Sequence, residues 1–243
     1  MASHLVAVIL YSSLLRTQAA EGIQSLTIET GEIGSGYTIP GQFVQIKVGD
    51  NKPGFFAIAS APNTDGTMEF LIKETESTQL ITTAKAGSTV DMSQVMGKGF
   101  DVKENFDSLK YDFPTQNIIL MATGTGIAPI RAVIESNILE SKNDPFGRSC
   151  RLYYGVQTMD KLPYMDKLKE WEANGMEVVP VMSQAGEDWT GRRGYIQAAL
   201  EEDGVNVPRN SGFIMVGQQD MVKDVKELAT KAGVFEGRLL TNF

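Results

Sequence analysis

At 243 residues, with 42% hydrophobic and 21% charged side chains, the chain suits one large or two ordinary globular domains. A net charge of −8 repels phosphate backbones and argues against a nucleic-acid partner. A single cysteine, Cys150, and a single histidine, His4, exclude a disulfide framework, a chain-encoded iron–sulfur centre, a Cys/His zinc site and a Ser-His-Asp triad. No metal site is expected, and any chemistry must come largely from a bound cofactor.

Residues 5–15 are the most apolar opening segment, but Tyr11, Ser12 and Ser13 interrupt it. It is too short to span a bilayer, lacks the layout of a signal peptide and reads as a first strand. No transmembrane segment is expected. Short runs rich in β-branched or aromatic residues follow at 23–29, 42–48, 55–60, 68–73 and 89–94, punctuated by glycine and proline. Regular short strands with such turns predict an antiparallel barrel or sandwich over residues 1–112. A short helix is expected over 77–84, with Ser77 and Thr78 suited to its start. Residues 101–114 are polar, lack a period and read as a linker.

From 113 to 243 the pattern changes to strands alternating with helices. Strands are expected at 118–122, 150–155, 177–183, 213–217 and 237–240. Helices are expected from Pro129, over 159–174, over 195–202 and over 219–232. Repeated β–α units predict a doubly wound parallel sheet, whose ligands lie beyond the carboxyl ends of the strands. Between the first strand and helix stands Thr123-Gly124-Thr125-Gly126-Ile127-Ala128-Pro129. Glycines let a ligand approach the backbone, Pro129 suits a first helical position, and a helix N-terminus attracts anions. The alternative is a tight turn that holds no ligand.

The Gly-Thr-Gly-Ile-Ala-Pro run resembles the nicotinamide-nucleotide loop of the ferredoxin–NADP reductase superfamily. The resemblance extends along the chain. Pro40-Gly41-Gln42-Phe43-Val44 is similar to a strand start of that family, and Leu152-Tyr153-Tyr154-Gly155 to its second nucleotide-domain unit. Gly217 to Met221 stands where the family has Cys-Gly-Pro-x-x-Met. Phe56 to Pro62, Ser93 to Phe100 and Thr241-Asn242-Phe243 are most similar to a plastid group of plants and algae. The resemblance implies an N-terminal FAD-binding barrel, a C-terminal NAD(P)-binding domain, and hydride transfer from NAD(P)H to FAD. It further implies a separate electron acceptor or host complex and a plastid location. It assigns Phe56, Ala57, Ile58, Ala59, Ser60, Lys73, Ser77 and Thr78 to FAD. Residues Thr123 through Pro129, with Ser183, Arg192, Arg193, Tyr195 and Gly217, are assigned to the dinucleotide. An arginine of the 192–193 pair would meet a 2′-phosphate and favour NADPH. Val216 and Phe243 fall at the hydride-transfer centre.

Three positions depart from the family. Gly54 stands in place of the arginine that pairs with the flavin pyrophosphate, Ala57 in place of a hydroxyl, and Val216 in place of a cysteine. Losing a charge-assisted hydrogen bond costs roughly 1.5–3 kcal/mol of binding. Two other readings therefore stay open: a catalytically reduced structural or regulatory subunit, and a nucleotide-sensing module without turnover. Phe55 and Phe56 could equally be barrel core, Arg192-Arg193 a solvated pair, and Phe243 a packed strand residue.

Overall fold

The computed structural model describes residues 8–10, 14–49, 51–62, 65–139 and 148–242. Parts of the first expected strand and the expectation for Phe243 lie outside the described residues. Seven antiparallel strands come first: β1 (Val8–Leu10), β2 (Leu15–Ala20), β3 (Ile23–Glu29), β4 (Phe43–Lys47), β5 (Gly54–Ala57), β6 (Thr67–Lys73) and β7 (Val90–Met92). They form a four-stranded sheet of order β1-β7-β4-β5 and a three-stranded sheet of order β2-β3-β6. Alternate residues of both sheets point inward. Leu26, Ile28, Val44, Ile46, Met68, Phe70, Ile72, Val90 and Met92 share one buried cluster, the core of the expected barrel.

The second half is a six-stranded parallel sheet of order β11-β10-β9-β8-β12-β13. Its strands are β8 (Asn117–Thr123), β9 (Ser149–Val156), β10 (Glu177–Met182), β11 (Arg192–Arg193), β12 (Ser211–Val216) and β13 (Leu239–Thr241). The central strand β8 is buried on both faces, as its unbroken apolar run requires. Ile118, Leu120 and Ala122 enter a cluster that also takes Ile23 and Leu71 of the antiparallel sheets and Ala59 just beyond β5. Ile119 and Met121 face the opposite cluster. The helices are α1 (Gln79–Thr82), α2 (Ile127–Glu135), α3 (Met165–Ala173), α4 (Ile196–Asp203) and α5 (Gln219–Ala232). Among the described residues no helix is long and apolar enough to cross a membrane.

Several expectations shift. The strand expected over 55–60 ends at Ala57, because Ile58, Ala59 and Ser60 turn into the core. Pro129 is the third residue of α2 rather than the first; its missing N–H is still harmless in the first turn. The helix expected over 159–174 is broken into a short turn at Met159–Lys161 and then α3. Pro163 disfavours helical backbone at the residue before it, and Tyr164 adopts φ 64° ahead of the helix. Within residues 101–114 a π-helical turn at Lys103–Asp107 buries Phe106 completely and a short 3-10 turn follows at Leu109–Tyr111, so the expected linker contributes to the core.

Candidate functional site

The chain leaves β8 toward β9, β10 and β11 on one side, then crosses back to place β12 on the other flank of β8. This reversal opens a crevice at the carboxyl ends of the strands. Opposite it stand β5 and the end of β6. Together they enclose a cleft of about 1270 Å³.

The floor of the cleft is the turn after β8. Gly124 has φ +53°, and nothing lies within 4 Å of where its Cβ would be, so the backbone is open to a ligand. The Tyr154 hydroxyl donates to the Gly124 carbonyl at 3.0 Å and fixes the turn. A Cβ on Gly126 would sit 2.4 Å from the Val216 carbonyl oxygen, and one on Gly217 only 2.0 Å from Thr123 Oγ1. The Gln218 N–H donates to that same Oγ1 at 3.2 Å. The turns after β8 and β12 are therefore interlocked, and glycine is required where they touch. Gly126 caps α2 without any side-chain hydrogen bond. Of the loop expected from sequence, Thr123, Gly124, Thr125, Gly126, Ala128 and Pro129 line the cleft, whereas Ile127 is buried beneath it.

The opposite wall is aromatic. Phe43, Phe55, Phe56 and Ala57 line it, with Lys73 and Thr78 at its edge. Phe55 is 66% exposed and meets Phe43 edge to face, with ring centroids 5.8 Å apart. Phe56 instead leans on the barrel core, and its ring covers Gly54: a Cβ there would meet it at 2.8 Å. Phe55 is thus the more available stacking face, where sequence reading favours Phe56. Ile58, Ala59 and Ser60 do not reach the cleft. The first two are fully buried, and Ser60 Oγ accepts the Glu69 N–H. Ser77 lies outside the cleft lining, while Thr75 and Thr78 line it and cap each other reciprocally. Two lysines, Lys73 and Lys161, face three carboxylates in the lining, Glu21, Glu74 and Asp220.

At the far edge of the parallel sheet Ser183, Gln184, Tyr195 and Gln197 line the cleft, and Tyr195 is 64% exposed. Arg192 and Arg193 do not join them. Arg192 pairs with Asp203 and donates to the Ala199 carbonyl at 3.2 Å. Arg193 donates to the carbonyls of Ala185 at 2.9 Å and of Gly186 and Trp189 at 2.8 Å. Backbone carbonyls and a carboxylate thus engage both guanidinium groups outside the cleft lining. Burial raises the pKa of the Asp203 carboxyl, but bonds from Tyr153 and Arg192 outweigh it and hold the group below its ordinary value. Val216 and Gly217 line the cleft at the end of β12. Sequence reading assigned no site role to Phe43, Thr75, Gln157, Lys161, Gln218 and Asn242, although Phe43, Gln218 and Asn242 stand within matched segments; strand order brings all six to the cleft.

Residues 120–227 match the family model described as the oxidoreductase NAD-binding domain. The whole chain superposes on a ferredoxin NADP+ reductase from Neisseria gonorrhoeae, solved with bound FAD and NADP. The TM-score is 0.77 at 19% identity, covering 98% of this chain and 100% of that one. Residues 120–227 thus carry an oxidoreductase NAD-binding domain, and the chain as a whole has the fold of a ferredoxin–NADP reductase. The chain is 31% identical over 216 residues to the fruit protein pKIWI502 of Actinidia deliciosa, covering 84% of this chain and 66% of the relative, just under two thirds of its length. The chloroplastic ferredoxin–NADP reductase of Spinacia oleracea is 26% identical over 162 residues, 63% of this chain and 42% of the relative. The chain also spans only 52% of the anthranilate 1,2-dioxygenase electron transfer component of Acinetobacter baylyi. In this chain the glycine turn lines the cleft and the Phe56 ring covers Gly54.

Proposed function

We propose that this chain is an NAD(P)H-dependent flavoprotein reductase that takes a hydride from NAD(P)H and passes electrons to a separate acceptor. The observation that carries this reading is one continuous cleft with the glycine turn on one wall and the Phe43–Phe55 pair on the other. In this proposal residues 1–112 form the flavin half and 113–243 the dinucleotide half. The open backbone at Gly124 and the uncapped start of α2 suit a pyrophosphate, which two lysines against three carboxylates would not hold by charge alone. Tyr195 offers a face for adenine and Ser183 a hydroxyl for ribose. On the other wall Phe55 offers the face of a flat ring system, with Lys73 and Thr78 beside it, so the residues present fit FAD as well.

A bound flavin would supply the hydride acceptance and the onward delivery of electrons. The protein contributes placement: the interlocked turns at Gly126 and Gly217 hold the end of the dinucleotide against the aromatic wall. Val216, at 6% exposure, closes the floor with an apolar surface that excludes water. The relatives' names include electron transfer components, and a plastid setting is proposed from the chloroplastic and fruit relatives. A second reading, a structural or regulatory subunit, is favoured by the Phe56 ring that fills the space over Gly54.

The test is reduction of ferricyanide by NADPH and by NADH with the FAD-supplemented chain. Turnover that depends on added protein supports the reductase. Its absence at saturating FAD with both nucleotides supports the subunit.

A further inference from the structure

Among the described residues, four buried side-chain atoms have no hydrogen-bond partner: Thr115 Oγ1, Tyr164 Oη, Arg238 Nε and Asn242 Oδ1. Of these residues only Asn242 lines the large cleft. Buried polar atoms without partners are uncommon in folded proteins, and at a ligand site such an atom points to what the ligand supplies.

Position narrows the ligand group. Met215 of β12 pairs in parallel with Thr241 of β13, so the next residues, Val216 and Asn242, leave adjacent strands at the same end. Asn242 therefore stands on the dinucleotide wall, beside the floor of the cleft. An amide oxygen accepts hydrogen bonds, so its partner must be an N–H or O–H. NAD(P)H carries amino groups at two distant places, the adenine ring and the nicotinamide carboxamide. Tyr195, the face proposed for adenine, follows β11, and Asn242 follows β13; these strands are the two outer edges of the sheet. With adenine at the opposite edge, the carboxamide is the amino group within reach of Asn242; the hydroxyls of the nicotinamide ribose are the competing donors, and an analogue altered only in the carboxamide distinguishes the two.

We infer that Asn242 is a positioning residue whose side-chain oxygen accepts a hydrogen bond from the carboxamide N–H of the nicotinamide ring. This rests on the function proposed above and adds to it the group that fixes the ring's orientation. Rotation about the glycosidic bond presents either ring face to the flavin wall. A single directional contact on the carboxamide distinguishes the two.

The experiment measures binding of NADP+ and NAD+ and of their 3-acetylpyridine analogues, in which a methyl group replaces the carboxamide NH2. It uses the full chain with FAD in excess, read by isothermal titration calorimetry. The wild type is expected to prefer the natural nucleotide by roughly five- to tenfold, the worth of one hydrogen bond. In Asn242→Leu, which keeps the volume and removes the acceptor, the ratio falls to about one. The melting temperature of that variant is expected not to fall, because an unpaired polar atom has been removed. In Asn242→Asp, which keeps an acceptor oxygen, the preference persists. Should Asn242→Leu melt early, Asn242→Ala reads the same ratio. A wild-type ratio of one, or a preference that survives in the leucine or alanine variant, overturns the inference while leaving the reductase reading intact. A wild type that binds none of the four nucleotides overturns both.

Discussion

Gly126 and Gly124 carry different constraints. At Gly126 an added methyl would press on the Val216 carbonyl at 2.4 Å, where backbone meets backbone. Gly126→Ala is expected to push the two turns apart, costing about 1–3 kcal/mol of stability and at least tenfold in NADP+ affinity; melting and calorimetry check each. At Gly124 the space is open but φ is +53°. Gly124→Ala is expected to cost about 1–2 kcal/mol through the left-handed backbone, with its methyl directed at the ligand. Phe55→Ala should leave the melting temperature nearly unchanged, since the ring is 66% exposed. The same substitution should weaken FAD binding roughly two- to tenfold, the range of an aromatic contact. Unchanged FAD affinity in that variant would place the flavin elsewhere. The glycine turn was legible in the sequence because backbone approach dictates its residue types. The greater exposure of Phe55 than of Phe56 was not, because it depends on which face of β5 each ring occupies. The bonding of Arg192 and Arg193 was not legible either: Asp203 and the carbonyls of Ala185, Gly186 and Trp189 that they meet form no motif.

Elements were easiest to read where one physical requirement governed several residues. Strand β8 alternates its side chains between two apolar clusters, and its unbroken apolar run announces that burial. The α3 region was harder, since Pro163 and the left-handed Tyr164 break a helical period that the flanking residues sustain. Between β9, β11 and α4, the Tyr153 hydroxyl donates to Asp203 at 2.6 Å, and Arg192 pairs with the same carboxylate. Because the Asp203 pKa is lowered on folding, its stabilisation is complete above the ordinary carboxylate value and is lost as pH falls through the lowered one. Asp203→Asn is therefore expected to melt earlier than wild type near neutral pH. Its curve of melting temperature against pH should be shallower below about pH 4. Parallel curves for the two proteins would remove Asp203 from the account.

At the scale of the molecule, two polar contacts add to the shared apolar cluster in holding the antiparallel sheets against the parallel one. The Glu21 N–H donates to the Asp160 carbonyl at 2.8 Å. Arg131 of α2, with a side chain only 6% exposed, reaches Glu69 of β6 at 2.5 Å and Glu135 at 2.9 Å. Removing one carboxylate from a buried guanidinium leaves its charge under-compensated. Glu69→Ala is accordingly expected to cost about 1.5–3 kcal/mol, or roughly 2–4 °C per kcal/mol in a chain of this size. Most of the strands and helices in both halves were legible from hydrophobic periodicity, but β2 and the two-residue β11 were not, since both are polar. The clasp between the halves was not, because Glu69 and Arg131 lie 62 positions apart. The central claim is that the shared cleft holds flavin and dinucleotide together despite Gly54. The most direct measurement is the anaerobic visible spectrum of the chain after incubation with FAD and removal of the excess, before and after addition of NADPH or NADH. The account predicts flavin absorption that stays with the protein and bleaches on adding the reduced nucleotide. A colourless protein after FAD incubation, or retained flavin that neither nucleotide bleaches, would contradict it.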